Sequence, residues 1–342
     1  MDKTQDFIKE YVLNPQSVMI HFQHGQCGAT LRATEVKPKF DKFLIKKAKK
    51  DNVDIGGCFL SGTNSLNYKL RFIEIKRNDT VDLGFKTNYD IYYGNRKNDV
   101  NNKRGILSTV KMTVICFNGT LINLIDKYVG EFFVVTNFGT MSGKGFGSFL
   151  VEGFSFDDKM IASALKEMSG AKKCYCVSKG ATPFVQIKEI YSTMKSGLPR
   201  KSKSILFEYL QKKNILNEKD WLKYDFVNTT KYRYTRALLG VCSSLSKVIS
   251  VKHFSEKKED KIDRLASPVF FKIAGDKIYI VAKRINECIF GTKFKFFNKN
   301  ANKGGTIFVP TKKELGDNFI DEFMDYAIKK LNNSYEKNIR EV

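Results

Sequence analysis

Between residues 68 and 76 polar and apolar side chains alternate (Tyr-Lys-Leu-Arg-Phe-Ile-Glu-Ile-Lys), the period of a half-buried strand. A similar rough alternation marks 17–22 as the first strand, and 106–117 and 131–137 also read as strands. Helical spacing predicts a short helix over 5–13 and a second from 36–38 to 49, because Pro38 suits the first turn of a helix. That second helix places Phe40, Phe43 and Leu44 on one face and Lys39, Lys42, Lys46 and Lys50 on another. A further helix is predicted over 120–129. The Asn-rich stretch 94–104 reads as an exposed loop, and 138–148 as a Gly-rich loop leading into a strand.

Helical spacing returns at 157–168, 184–195 and 203–224, so 156–228 is expected to be mostly helical. Strand signals resume at 267–273, 277–284, 293–297 and 306–309, before a final amphipathic helix over 313–332. The pattern predicts an α+β chain in two lobes. The first is a domain over 1–155 that ends in the Gly-rich loop. The second spans 156–342, with the helical segment 156–228 and a smaller sheet in 229–342.

Composition narrows the function. The 342 residues are 42% hydrophobic and include 28 Phe and 15 Tyr, enough to bury a core that offsets chain entropy. Lys and Arg number 59 against 36 Asp and Glu, a net charge of +23 that suits a polyanionic partner. Seven scattered cysteines and the polar start Met-Asp-Lys-Thr-Gln-Asp point to a reducing, cytoplasmic setting. Apolar runs such as 132–135 and 278–282 are far shorter than the roughly 20 residues that cross a bilayer, so no membrane partner is expected.

The Gly-rich segment Phe-Gly-Thr-Met-Ser-Gly-Lys-Gly-Phe-Gly-Ser-Phe (138–149) is the main candidate site. It has the wrong spacing for a Walker loop, since three residues precede Gly143-Lys144 and Gly145 follows. It also fails as a dinucleotide fingerprint, because a strand rather than a helix comes next. What remains is a donor-rich loop. In it Gly139, Ser142, Gly143, Gly145 and Gly147 let the backbone approach phosphates, Lys144 supplies a cation, and Phe146 offers a ring for stacking on a base. The alternative is a hairpin or bulge that needs glycine for its geometry.

The lysine face of the 36–49 helix, with Arg32 just before it, can follow a phosphate backbone, although such a face by default is simply solvated. Arg264-Leu-Ala-Ser-Pro-Val-Phe, with Ser267, is a third basic piece. Only His21, His24 and His253 are present, and no Cys, Asp or Glu completes a metal spacing. Cys174-Tyr-Cys176 reads as structural, and neither a metal nor a cofactor is expected.

Three stretches, taken in order, resemble the RAMP superfamily of CRISPR–Cas proteins. Thr-Leu-Arg-Ala-Thr-Glu-Val-Lys-Pro-Lys-Phe-Asp-Lys-Phe-Leu (30–44) is similar to that family's Arg-containing turn and first helix. Residues 138–149 are similar to its Gly-rich segment. Arg236-Ala-Leu-Leu-Gly240 with 264–270 is similar to the late motif of the end-capping RAMP subunit of type III-B effector complexes. The resemblance implies tandem RRM-like or ferredoxin-like lobes with a helical insertion, which hold guide or target RNA beside other subunits of an antiviral ribonucleoprotein. It carries the RNA-binding role to Arg32, Lys37, Lys39, Gly139, Gly143, Lys144, Gly145, Gly147, Arg264 and Ser267. The leading expectation is a non-catalytic RNA-binding subunit. The alternatives are a metal-independent endoribonuclease that uses His21 or His24, and a protein scaffold that docks a neighbour through the 156–228 helices.

Overall fold

The structure is a computed structural model that describes residues 7–20, 30–82, 104–223, 226, 231–241, 248–254, 262 and 264–342. The chain forms two compact units: Met1–Ala164 together with Lys272–Ile278, and Leu165–Phe271 together with Tyr279–Val342.

In the first unit the order is β1 (Ile8–Pro15), α1 (Ala33–Lys50), β2 (Lys69–Asp82), β3 (Arg104–Ile115), α2 (Gly119–Val135) and β4 (Phe149–Val151). The sheet runs β2-β3-β1-β4 and is antiparallel at every pairing. This is the split βαβ arrangement of ferredoxin-like domains. Alternation explains β3, which buries Ile106, Ser108, Val110, Met112 and Val114 and turns the intervening residues outward. Helical spacing explains α1, which buries Val36, Phe40, Phe43, Leu44, Lys47 and Ala48. The two helices meet through aromatic rings: Phe40 stacks on Phe132 at 4.5 Å, and Phe132 contacts Phe138 at 6.0 Å, which carries the core up to the Gly-rich loop.

Several expectations are corrected here. The residues read as a helix over 5–13 form β1 from Ile8 onward, with Tyr11 and Leu13 buried on one face. The stretch expected as the first strand over 17–22 is described only as far as Ile20, and there Met19 and Ile20 make only isolated bridges, to Ile106 and Thr140. The strand expected over 131–137 is the end of α2, a helix buried on most of its surface, so its aromatic and β-branched run showed no 3.6-residue stripe. Helix α1 begins at Ala33, which puts Pro38 beyond the first turn. Pro38 and Thr34, whose carbonyl loses its amide partner there, are both exposed, so water can satisfy that carbonyl. His21, His24 and the loop at 94–104, apart from Arg104 in β3, lie outside the described residues.

The later part of the chain repeats the pattern. After α3 (Asp158–Ser169) come β5 (Cys174–Ser178) and α4 (Pro183–Lys195), and later β9 (Val269–Ala274), β10 (Lys277–Ala282), α8 (Phe319–Tyr335) and β13 (Arg340–Glu341). Their sheet order, β13-β5-β10-β9, is again that of a ferredoxin-like unit. The chain is therefore α+β with tandem ferredoxin-like lobes. Inserted between α4 and β9 are α5 (Ile205–Gln211), β6 (Leu216–Asn217), α6 (Glu218–Lys223), β7 (Tyr232–Arg233) and β8 (Ile249–His253). With β11 (Lys293–Asn298) and β12 (Lys303–Phe308) the inserted strands make a five-stranded sheet, β6-β7-β12-β11-β8. A short helix, α7 (Lys312–Leu315), precedes α8.

The stretch 156–228, expected to be mostly helical, also contains β5, whose first four residues are all buried and so show no alternation. The single helix expected over 203–224 breaks after Gln211, where Asn214 takes a left-handed φ of 58°. Trp221, from α6, is buried edge-on against Phe296 at 5.6 Å, and Gly305 leaves room for its ring: a Cβ there would stand 2.6 Å from Trp221 Cζ2. Cys174 and Cys176 lie buried in β5, and burial pushes the Cys174 thiol up to about 12, which suits a core residue rather than a nucleophile. Among the described residues no helix is long and apolar enough to cross a membrane.

Candidate nucleic-acid interface

The Gly-rich loop of the first unit is fastened at its base and open at its tip. Phe138 N donates to Gly147 O at 2.9 Å, Gly147 N to Val18 O at 3.0 Å, and Thr140 N to Ile20 O at 2.9 Å. Ser17 Oγ donates to Gly145 O at 2.6 Å and accepts from Ser148 N at 2.9 Å. These bonds require glycine at two points. Gly147 (φ 67°) passes so close to Phe138 that a Cβ would stand 1.9 Å from its carbonyl oxygen, and a Cβ on Gly139 (φ 76°) would stand 2.5 Å from Ile20 O.

Helix α1 adds the second support. Glu35 Oε1 accepts from Gly139 N at 2.9 Å and from Lys39 Nζ at 3.0 Å, and Lys39 Nζ lies 4.9 Å from the centre of the Phe138 ring. Asn137 Nδ2 donates to Ser142 O at 2.7 Å, and Lys144 N turns back to Met141 O at 2.8 Å. Met141 takes a left-handed φ of 59° that a side chain rarely adopts. The crown this produces carries three consecutive amides, those of Met141, Ser142 and Gly143, that donate to no acceptor among the described residues. A Cβ built on Gly143 meets no described residue within 4 Å. Three consecutive N–H groups with no acceptor among the described residues directly precede Lys144, and donors in such a run can receive an anion.

The other expected residues divide. Phe146, expected to present an exposed ring, is buried at 3% exposure and so cannot stack on a base; it belongs to the core beneath the loop. Gly139, Gly145 and Gly147 shape the loop, and their amides are used internally. Lys37 points away from the crown: its ammonium donates to Asp41 Oδ2 at 2.8 Å, Ser65 Oγ at 2.9 Å and Leu66 O at 2.8 Å, one acceptor per proton. Lys37→Met is therefore expected to cost about 2 kcal/mol of stability through the acceptors it strands, measured by denaturant titration, and to leave the salt dependence of RNA binding unchanged.

Arg32 sits half-buried at the start of α1, where its carbonyl accepts from Glu35 N and Val36 N, and Lys42 and Lys46 lie exposed farther along the helix. Arg264 and Ser267 belong to the second unit. There Val241 and Leu265 exchange backbone hydrogen bonds, and Ser267 Oγ accepts from Val269 N at 3.1 Å. The pieces 236–240 and 264–268, far apart in sequence, thus lie side by side, with Gly240 (φ 108°) close against Leu265 and Ser267. Arg236 itself is turned inward and paired with the fully buried Glu218.

Sequence reasoning missed Glu35, Asn137, Ser17 and Met141 as the residues that build the crown. Asn137 directly precedes the loop and could have been found; Glu35 and Ser17 act from more than a hundred positions away and leave no local signal. His253 is structural, since its ring packs on Phe294 at 5.2 Å and its Nδ1 accepts from Ile262 N. Among the described residues no group of three or more His, Cys, Asp or Glu is placed to hold a metal ion.

No curated protein matches the chain. Among solved structures it is similar to the crystal structure of Cmr1 from Pyrococcus furiosus in its apo form, with 13% identity over 98% of each chain and a TM-score of 0.44. The family model of the Cmr1 N-terminal domain matches residues 8–198, and that of the Cmr1 C-terminal domain matches 201–341. With both models taking up nearly the whole chain in order, the protein belongs to the Cmr1 family, the RAMP subunits of type III-B CRISPR effector complexes.

Proposed function

We propose that this subunit holds single-stranded RNA, guide or target, inside its effector complex and does so without cutting it. The observation that carries the reading is the crown of the Gly-rich loop: the unused amides of Met141, Ser142 and Gly143 beside Lys144, with Lys39 at its base. A backbone phosphate placed there accepts from fixed amides and meets two cations, so affinity comes from charge and donor geometry. Base identity is read by pairing with the guide, and the protein contributes position rather than sequence. Lys42 and Lys46, exposed on α1, extend the cationic track along the helix. The net charge of +23 supplies long-range attraction for the same partner.

The test is binding of fluorescent single-stranded RNA to the full chain over a series of salt concentrations. Lys144→Ala is expected to make the slope of log K against log salt shallower by roughly 0.7, the value of one phosphate contact on a single strand. A wild-type chain that binds no better than an equally basic folded control, with a slope unmoved by Lys144→Ala, would remove this reading and favour the scaffold alternative.

A further inference from the structure

The loop after α4 runs Lys-Ser-Gly-Leu-Pro-Arg-Lys-Ser-Lys-Ser (195–204), and no Asp or Glu follows until Glu208. It is built tightly. Leu198 N donates to Ser202 O at 3.0 Å and to Ser202 Oγ at 2.9 Å, Ser202 N returns to Leu198 O at 3.0 Å, and Ser204 Oγ donates to Lys195 O at 3.0 Å. Gly197 sits at φ 74° where a Cβ would stand 2.5 Å from Ser202 O, so the position requires glycine, and Arg200 itself is held at φ 60°. A non-glycine residue keeps that conformation only where its surroundings impose it.

The result is a fixed platform for Arg200, Lys201 and Lys203. All three are exposed, and among the described residues none of their side chains has a hydrogen bond, ion pair or ring partner, while the Lys201 amide is tied back to Leu198 O at 3.1 Å. Lysines on neighbouring elements of the same unit are satisfied: Lys195 donates to Gly240 O at 2.7 Å, Lys330 pairs with Glu208 at 3.1 Å, and Lys337 with Glu189 at 2.8 Å. Three like charges within four residues repel one another, and the tight turn denies them the freedom to spread, so the arrangement favours a multivalent anion. The remaining residues of the turn are mainly serine and glycine. They offer phosphates open access and lack the apolar centre that a protein partner requires. The platform is also anchored to the Arg264–Ser267 piece: Lys195 and Tyr191 of α4 donate to Gly240 O and Leu239 O, and Gly240 packs on Leu265 and Ser267.

We propose that Arg200, Lys201 and Lys203 form a second contact surface for the RNA phosphate backbone, on the second unit. This rests on the RNA reading above and adds to it a site separate from the Gly-rich crown. The experiment compares wild type, the triple variant Arg200→Gln/Lys201→Gln/Lys203→Gln and Lys144→Ala as full chains in the same RNA salt titration, with thermal unfolding alongside. The triple variant is expected to unfold at the wild-type temperature and to lower the salt slope by about 2, three contacts at roughly 0.7 each. RNA carrying 4-thiouridine is expected to cross-link within 198–204 in the wild type. A triple variant with wild-type slope and affinity, while Lys144→Ala weakens binding, overturns this site and leaves the crown standing. A wild type that binds no better than a basic control overturns both.

Discussion

Lys272→Met is expected to lower the stability of the chain by about 4 kcal/mol. Lys272 is completely buried, and its Nζ lies within hydrogen-bonding distance of Phe133 O at 2.6 Å, Thr136 O at 3.1 Å and Phe149 O at 3.4 Å. Two of these carbonyls belong to the C-terminal end of α2, where the helix leaves acceptors unpaired and its dipole is negative. Methionine keeps the apolar stem but strands the carbonyls in the interior, at roughly 1–3 kcal/mol each.

Burial holds the Lys272 pKa well below the ordinary 10.5. In the window between the folded value and 10.5 the unfolded chain therefore carries more protons, and this group's contribution to stability rises with pH. That contribution is complete above 10.5 and is lost as pH falls through the folded value. Methionine does not titrate, so the stability gap between wild type and Lys272→Met should widen as the pH is raised towards 10.5. Denaturant titrations at several pH values measure it, and a gap that stays constant or narrows would refute the account.

Gly147→Ala is the second large effect, at about 3 kcal/mol. Left-handed φ costs alanine roughly 1–2 kcal/mol, and moving a backbone carbonyl that stands 1.9 Å from the new Cβ adds a similar amount. The displaced atom is Phe138 O, and Phe138 N is the partner of Gly147 O, so the base of the loop opens and the crown amides lose their alignment. RNA affinity should fall together with stability. Gly143→Ala is the comparison: its Cβ enters open space and its φ is not left-handed, so stability should change by no more than about 0.5 kcal/mol. If the two variants are equally stable, the account of the loop base is wrong.

Parts of the site were legible in the sequence and parts were not. The loop at 138–148 could be recognised because four glycines in nine residues break any regular element, and Lys39 and Lys144 could be singled out by charge and spacing. Which loop groups face outward could not. Phe146 and Lys37 have the residue types of a binding site, yet one lies in the core and the other neutralises Asp41, and both outcomes depend on neighbours that spacing does not reveal. Arg200, Lys201 and Lys203 drew no attention in the sequence, because a basic turn and a solvated one read alike until the hydrogen bonds that fix the backbone are known.

By itself the sequence determined the α+β class, the helices at α1, α3 and α4, the strands β2, β3 and β9 to β12, and the position of the Gly-rich loop. Each of these depends on a period of two or 3.6 residues, on a short apolar run between turn residues, or on glycine and proline, and such signals are complete within a short window. Only the tertiary structure decided that Ile8–Pro15 is one of the two inner strands of its sheet, that α2 continues to Val135, and that the second lobe repeats the strand order of the first. It also decided which three amides of the crown have no acceptor among the described residues. In each case the deciding partners lie far away in sequence: β3 and β4 beside β1, the buried surroundings of α2, and Ser17 and Glu35 at the loop. The free energy of burial and of satisfied hydrogen bonds depends on those partners, and no local pattern contains them.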